Sequence, residues 1–305
     1  MKIGYPCINR SLSCQGSRTF RLRSYTKERL RQTIQNNLDC LSQILRYNLD
    51  HGISFFRISS DIIPFASHPI CTFPWQRTFQ NHFDEIGKFI TKNDMRISMH
   101  PDQFIVVNTQ REDVFKRSTG ELAYHAAVLD CMGLDTTAKI QLHVGGVYDD
   151  KTQSIERFID RFRSLDSSIK RRLVIENDEK SYSVQDCLQV YDKTNIPILF
   201  DYFHHTLLNN QEPLADVLEH CRKTWMKKDG IPMVDYSSQK PNSTRGSHAE
   251  YLDISDFIRF LHQSRPFDFD LMLEIKDKER SALTALDILK HNTQRHQRTA
   301  KRHTL

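Results

Sequence analysis

Short apolar runs alternate with longer amphipathic segments along the chain, and this alternation repeats eight times. Each run is only a few residues long and almost continuously apolar, which is typical of parallel strands whose outer face is covered by helices. The predicted strands are 2–6, 53–58, 95–100, 139–144, 171–176, 196–201, 231–236 and 270–275.

The segments between these runs have helical spacing. Within 26–50, leucine or isoleucine recurs every three or four residues, and Gly52 stands where a glycine commonly ends a helix. Ser183 with Asp186 has the pattern of a helix N-cap and the acid that accompanies it. The other predicted helices are 79–92, 110–131, 151–163, 183–191, 213–223, 253–263 and 279–291.

Strands that alternate with helices imply βαβ units, and eight such units favour a (β/α)₈ barrel, the TIM-barrel fold of the α/β class. An open doubly wound sheet is disfavoured because no Gly-x-Gly-x-x-Gly motif follows the first strand. Neither a repeat nor a low-complexity linker divides the chain. We therefore expect a single domain over 1–289, followed by a basic, flexible C-terminal tail over 290–305.

The composition, 38% hydrophobic and 27% charged residues, is that of an ordinary globular protein. No run approaches the ~18 apolar residues of a membrane span, and the N-terminus has no apolar signal-peptide segment. The seven cysteines include no Cys-x-x-Cys pair, so we expect reduced thiols rather than a disulfide frame or a zinc finger. These features predict a cytoplasmic protein without membrane association, and nothing indicates an obligate protein partner.

Basic charge is concentrated in two segments. Residues 290–305 contain five of the 43 lysines and arginines and no acid, which accounts for the net charge of +5. Residues 10–31 contain seven basic residues, against which Glu28 is the single acid. Segregated basic charge suits a polyanion such as nucleic acid, although a solvated helix face and a frayed terminus would give the same pattern.

Metal-ligand side chains end six successive predicted strands. On a barrel these ends form the active-site face. Carboxylates and imidazoles that converge there would repel one another unless a cation neutralised them, and mixed ligands of these types suit Mn, Zn or Fe. We therefore predict a divalent metal site at the C-terminal face of the strands. The strand-end residues are His100, His143, Glu176, Asp201, Asp235 and Glu274, and His204 and His248 lie in the following loops.

These residues lie within longer stretches that match one family in order and spacing. The stretches are GYP at 4–6, FRISSD at 56–61, SMHPDQF at 98–104, LHVGG at 142–146, LVIEND at 173–178, DYFHH at 201–205, DYSSQ at 235–239 and LEIK at 273–276, with Asn9, Pro64, His68 and His248 between them. Through them the chain resembles the UV damage endonuclease (UVDE) family over roughly residues 1–280. Motifs this long, in this order, are highly specific.

The resemblance implies a DNA repair endonuclease whose substrate is UV-damaged double-stranded DNA. Such an enzyme nicks the strand immediately 5′ of pyrimidine dimers and 6-4 photoproducts and leaves a 3′-hydroxyl and a 5′-phosphate. A metal-activated hydroxide would attack the phosphodiester while a second metal stabilises the leaving oxygen. Inside the cell the protein would associate with the nucleoid through DNA. The expected catalytic residues are Glu176, Glu274, His100, His143 and Asp201.

The resemblance also implies two or three metal ions, most commonly manganese. Glu176 would bridge two of them. Many relatives have a lysine where this chain has Met233 and a histidine where it has Asp235. Because a thioether is a poor ligand for a hard cation, occupancy of the third site stays an open question. The first ion would also be held by His100 and His143, the second by Asp201, Asp235 and Glu274, and the third by His204 and His248.

Damaged nucleotides must leave the base stack before a nuclease can reach them. Gln103 and Phe104 match the family's pair that probes the gap opposite the lesion, and Phe104 would otherwise be a core aromatic. Tyr5, Asn9 and His68 match contacts to the extruded dinucleotide or its phosphate. For Tyr5 and Asn9, a structural role in the first loop is the alternative.

Three other functions fit part of the pattern. An AP endonuclease would share the metals and the polymer but act at abasic sites. A metal-dependent sugar isomerase or epimerase would use the same barrel, but it gives no reason for the basic residues of 10–31. A DNA-binding barrel that has lost catalysis is the third, for which Met233 and Asp235 would be early signs.

Overall fold

A computed structural model describes the backbone of residues 1–302 and the side chains of residues 1–291. Eight parallel strands form a closed barrel in sequence order, and the first strand pairs with both the second and the last. This confirms the predicted (β/α)₈ barrel. The strands are β1 Ile3–Pro6, β2 Phe55–Ile58, β3 Arg96–Met99, β4 Lys139–His143, β5 Leu173–Glu176, β6 Ile198–Asp201, β7 Met233–Tyr236 and β8 Asp270–Leu273.

Helices follow the strands around the outside of the barrel. Ser183 and Asp186 form the capping box of α7, as the sequence predicted, and Thr26 caps the N-terminus of α1. The short helices α2, α6 and α8 were not predicted. The helices are α1 Lys27–Asp50, α2 Trp75–Thr78, α3 Gln80–Lys92, α4 Glu112–Cys131, α5 Lys151–Ser164, α6 Ser167–Lys170, α7 Val184–Thr194, α8 Tyr202–Leu207, α9 Leu214–Lys223, α10 Ile254–Gln263 and α11 Glu279–Arg302.

The last helix, α11, continues beyond residue 291, where the pattern predicted its end, as far as Arg302. The side chains beyond residue 291 lie outside the described part of the chain. The predicted flexibility of 290–305 therefore stays a prediction. Among the described residues, no helix has the length and apolar character needed to cross a membrane.

Two layers of side chains fill the interior of the barrel. Residues two apart on a strand point to the same face, so an apolar residue on each of five strands is followed by a polar one nearer the C-terminal end. The apolar layer is a separate, fully buried cluster and forms the floor below the polar layer. The apolar residues are Phe55, Val174, Leu199, Met233 and Met272. The polar residues above them are Arg57, Glu176, Asp201, Asp235 and Glu274.

One disulfide corrects the expectation of reduced thiols. Cys14, in the loop between β1 and α1, is bonded to Cys40 of α1 across a sequence separation of 26. The bond holds part of the basic segment 10–31 against α1. The spacing of these cysteines gave no sign of the pairing, because it depends on how an irregular loop folds back. The free cysteines are Cys7, Cys71, Cys131, Cys187 and Cys221.

Candidate metal centre

The predicted ligands converge at the C-terminal end of the barrel because the sheet register aligns them. His143 lies beside Glu176 in the β4–β5 pairing, and Asp201 lies beside Asp235 in the β6–β7 pairing. Three overlapping groups result, and in each group the potential ligand atoms lie within 4.8 Å of one another. The groups are His100–His143–Glu176, Glu176–Asp201–His204 and Asp201–Asp235–Glu274.

Glu176 lies at the centre of this arrangement. Its carboxylate oxygens lie 3.6 Å from Nε2 of His100 and 3.9 Å from Nε2 of His143. Burial alone would raise the pKa of Glu176, but His143, His100 and His204 hold it well below its usual range. Glu176 therefore presents a charged carboxylate to two groups of potential ligands, as a bridging residue must.

The aspartates of the third group are buried and incompletely partnered. Oδ2 of Asp201 and Oδ1 of Asp235 are buried oxygens without a hydrogen-bond partner among the described residues. Burial raises the pKa of Asp201 well above its usual range and that of Asp235 to about 7. Buried carboxylate oxygens left without partners are costly unless a cation binds them. The donor set and these two oxygens therefore fit a divalent ion.

His204 joins this centre but does not pair with His248. Its Nδ1 lies 3.3 Å from Glu176 Oε1 and 3.6 Å from Asp201 Oδ2, whereas the ring centroids of His204 and His248 are 6.2 Å apart. Burial opposes protonation of His204, but Asp201 and then Glu176 raise its pKa to about 11. Nδ1 of His248 hydrogen-bonds to the carbonyl of Glu274 at 2.9 Å. No ligand group in the described residues combines the two histidines, so the proposed third site is the least formed.

Met233 takes no part in the centre. Its side chain is fully buried in the apolar floor, two residues below Asp235 on β7. No potential ligand group of the described residues includes it. Its thioether therefore packs beneath the ligands, whereas Asp235 belongs to a ligand group.

Arg57 also belongs to this centre, and the sequence analysis did not predict it. From β2 its guanidinium donates to Oδ2 of Asp235 at 2.5 Å and also to Glu274. Burial raises the pKa of Glu274, but Arg57 lowers it, and the pKa is about 2. Gln141 Nε2 adds hydrogen bonds of 2.8 Å to both Glu176 and Asp235. The signal was a charged residue on the inward face of the apolar strand FFRI.

The metal centre opens into a cavity of about 620 Å³ that includes the predicted probe residues. Gln103 and Phe104 follow β3 and line this cavity together with His100 and Glu274. Phe104 is 76% exposed, so it is not a core aromatic. His68 is exposed on the loop that follows β2, where its Nδ1 accepts a hydrogen bond from the backbone N–H of Ile70.

Tyr5 and Asn9, in contrast, are buried. The hydroxyl of Tyr5 donates to Asn48 at 2.7 Å and accepts from Asn9 at 2.8 Å. Oδ1 of Asn9 accepts from the backbone N–H groups of Ser11 and Leu12. These contacts hold the first loop in place, which is the structural role that the sequence analysis gave as the alternative for these two residues. Contact of either side chain with DNA would require that loop to rearrange.

Solved structures with low sequence identity share the fold of this chain. Endonuclease IV from Thermus thermophilus is 15% identical, with a TM-score of 0.57 over 83% of this chain and 93% of that protein. A D-psicose 3-epimerase from Clostridium cellulolyticum H10 is 10% identical, with a TM-score of 0.52 over 82% of this chain and 92% of that protein. At this level of identity the similarity concerns the barrel alone.

Other known proteins are similar to this chain in sequence. The crystal structure of SacUVDE is 46% identical, with a TM-score of 0.92 over 96% of this chain and 99% of that one. A UV DNA damage endonuclease of Clostridium perfringens (strain 13 / Type A) is 40% identical over 95% of this chain and 71% of its own length. One of Bacillus cereus (strain Q1) is 33% identical over 93% and 92%, respectively. Since the model of the family UV-endonuclease UvdE also matches residues 1–301, the chain belongs to this family of DNA repair endonucleases.

Proposed function

We propose that this protein nicks UV-damaged duplex DNA immediately 5′ of pyrimidine dimers and 6-4 photoproducts, leaving a 3′-hydroxyl and a 5′-phosphate. One observation carries the proposal. A single open cavity contains both metal-ligand residues, among them His100 and Glu274, and the exposed ring of Phe104. A cleavage centre and a surface for an unstacked base thus lie side by side.

The centre is proposed to hold two divalent ions, with manganese as the expected metal. His100, His143 and Glu176 would hold the first, and the second would lie among Asp201, Asp235 and Glu274. When bound there, divalent ions activate water as a nucleophile and stabilise charge on the leaving oxygen. A third ion would lie near His204 and His248, two histidines that share no ligand group among the described residues.

The protein's own residues orient these ligands. Arg57 and Gln141 hold Asp235 from two sides through Oδ2, so that Oδ1 stays available. Asp201 is held differently: its Oδ1 caps α8 by accepting from the backbone N–H of His204 at 2.7 Å, which leaves Oδ2 without a partner among the described residues. Each aspartate therefore keeps one oxygen for the reaction centre.

Lesion recognition is proposed to depend on Phe104 and Gln103. Exposed aromatic rings stack on bases, and the Gln103 amide can replace the hydrogen bonds of a lost base pair. His68 is proposed to contact the DNA backbone, while Tyr5 and Asn9 would act by supporting the loop beside the cavity. The basic segment 10–31 and a basic tail at 290–305 would attract the duplex, and the protein would act inside the cell on nucleoid DNA.

Nicking of supercoiled plasmid tests this function. We expect the protein with Mn²⁺ to convert UV-irradiated plasmid to the open circle and to leave unirradiated plasmid intact, and EDTA should abolish the reaction. Equal nicking of both plasmids would contradict lesion specificity. Preferential nicking of abasic plasmid would favour an AP endonuclease, and no nicking with any divalent ion would favour a binding protein.

A further inference from the structure

Three cationic side chains line the cavity at the metal centre: Arg57, Lys276 and Lys278. Two of them are already paired with carboxylates. Arg57 donates to buried aspartate and glutamate side chains, and Nζ of Lys276 lies 3.2 Å from Glu250. Within the described part of the chain, the ammonium of Lys278 has neither an ion pair nor a hydrogen bond. The cavity thus contains one cation that is available to an anionic ligand.

The position of Lys278 is fixed by its surroundings. Its carbonyl accepts from the N–H of Ala282 in the first turn of α11, and its N–H donates to the carbonyl of Ile275. The next residue, Glu279, is fully buried and accepts hydrogen bonds from the backbone N–H of Arg10 and the hydroxyl of Ser11. The segment that carries Lys278 is therefore tied to α11 and to the first loop rather than free.

The backbone of Lys278 is also strained. Its φ of 61° lies in the left-handed region, which a lysine rarely adopts. A glycine would adopt this conformation at less cost. Strained residues of this kind concentrate at functional sites, where the side chain is needed despite the cost of its conformation.

The surroundings of Lys278 are partly shielded from water. Burial lowers the pKa of Lys278, and burial raises the pKa of Cys7, which lines the same cavity. Charge interactions are stronger where solvent is excluded. The carboxylate of Glu274 and the exposed acid Asp102 also line the cavity and would repel a phosphate. The ammonium of Lys278 would offset this repulsion.

We propose that Lys278 binds the scissile phosphodiester by donating from its ammonium to a non-bridging oxygen. This inference rests on the proposed nuclease function. Lys278 then differs in kind from the basic residues of 10–31, which would attract DNA from the surface. It would hold the one phosphate that is cut.

The first test compares Lys278→Met with Lys240→Met, a lysine outside the cavity lining that, like Lys276, is paired with Glu250. We expect Lys278→Met to lower kcat/KM on irradiated DNA about 10- to 100-fold and to reduce the salt dependence of binding by about one phosphate contact. Lys240→Met should change kcat/KM by less than about 3-fold and leave the salt dependence of binding unaltered. Lys278→Gly removes the same ammonium and relieves the backbone strain, so it should lose activity without a lower melting temperature.

The second test uses a lesion duplex whose scissile phosphate is replaced by a neutral methylphosphonate, with binding measured in EDTA. Wild-type protein should bind this duplex more weakly than the ordinary phosphodiester duplex. Lys278→Met should bind the two duplexes with nearly the same affinity. Equal losses for both proteins would overturn the inference, as would wild-type nicking by Lys278→Met. These outcomes presuppose an active wild-type enzyme. Failure of the wild type to nick irradiated DNA would instead contradict the proposed function.

Discussion

The guanidinium of Arg57 donates to Asp235 at 2.5 Å, and the two side chains are 3% and 0% exposed. The same guanidinium also donates to Glu274. Asp235 and Glu274 are two of the three residues proposed to hold the second ion. The protein therefore provides part of the positive charge that the carboxylate cluster needs, and a bound ion would have to neutralise only the remainder.

The variant Arg57→Gln tests whether Arg57 and a bound ion share the neutralisation of the carboxylate cluster. Removing one partner of a buried ion pair typically costs about 3–5 kcal/mol, because the other charge stays buried. We expect the free energy of unfolding in EDTA to fall by this amount and to recover in part with Mn²⁺, as measured by urea titration. Arg111→Gln, which breaks an exposed pair with Asp113, should cost at most about 1 kcal/mol under both conditions. An Arg57 variant that is insensitive to metal would contradict the proposed ion position.

Glu176→Gln should abolish nicking while damaged-DNA binding persists. Glu176 belongs to two ligand groups, and changes to groups that merely orient a ligand already cost about 10- to 100-fold. We expect nicking of a lesion duplex to fall at least about 100-fold and gel-shift affinity to change little, because affinity comes mostly from phosphate and stacking contacts. Glu219→Gln, on the outer helix α9, is the control and should nick normally. Near-normal nicking by Glu176→Gln would exclude a bridging role.

Phe104→Ala should lower the affinity for lesion DNA without lowering the stability of the fold. A stacking contact worth about 1–3 kcal/mol corresponds to roughly 5- to 150-fold in affinity. The melting temperature should be unchanged because the ring is 76% exposed, whereas Phe83→Ala, a fully buried control, should cost about 3–5 kcal/mol of stability. The loss should shrink when the strand opposite the lesion is unpaired. An unchanged preference for damaged over undamaged DNA would rule out the probe role.

The buried imidazole of His125 should make stability depend on pH. It is fully buried in α4 with no partner for Nε2 among the described residues, and burial lowers its pKa to about 4. The unfolded chain has the higher pKa, about 6.5, so protonation favours unfolding. Above pH 6.5 His125 is neutral in both states and costs the folded protein no stability. As the pH falls toward 4, the free energy of unfolding decreases, by at most about 3 kcal/mol.

Urea unfolding of wild type and His125→Gln at about pH 7.5 and about pH 4.5 measures this contribution. The variant should be less stable than wild type at the higher pH and should lose less stability on acidification. His220, near the C-terminal end of α9, provides the control, since His220→Gln should retain the wild-type dependence. Identical pH dependence in wild type and His125→Gln would exclude His125 as the titrating group.

Reduction of the Cys14–Cys40 bond should lower stability. A cross-link across a sequence separation of 26 contributes about 3–4 kcal/mol in the chain-entropy account. We expect dithiothreitol to lower the free energy of unfolding of the wild type by this amount and to leave Cys40→Ser unchanged. Equal responses of the two proteins would show that the disulfide does not contribute.

Much of the fold could be predicted because buried residues recur at regular spacings along the sequence. Each strand is a short apolar run, and α1 repeats its buried residues at helical spacing along most of its length. The missed helix α8 has six residues, too few to establish a period, and it begins directly at the end of β6. The sequence pattern therefore predicts a loop at these positions.

The site was predictable in part for a similar reason. Ligand types at successive strand ends are visible in the sequence once the strands are placed, whereas the pairing of His204 with Glu176 depends on the turn of α8. Arg57 was not among the predicted ligands because a guanidinium does not bind a metal ion. The burial of Tyr5 depends on Asn48, a residue distant in sequence.

The barrel closes where β1 pairs with β8, the strand synthesised last. Glu274 follows that strand, and its ligand group also needs residues from β6 and β7. A growing polypeptide on the ribosome therefore cannot complete the proposed second ion site until β8 and Glu274 have emerged. Among the three ligand groups of the described residues, this one is the last whose members are all synthesised.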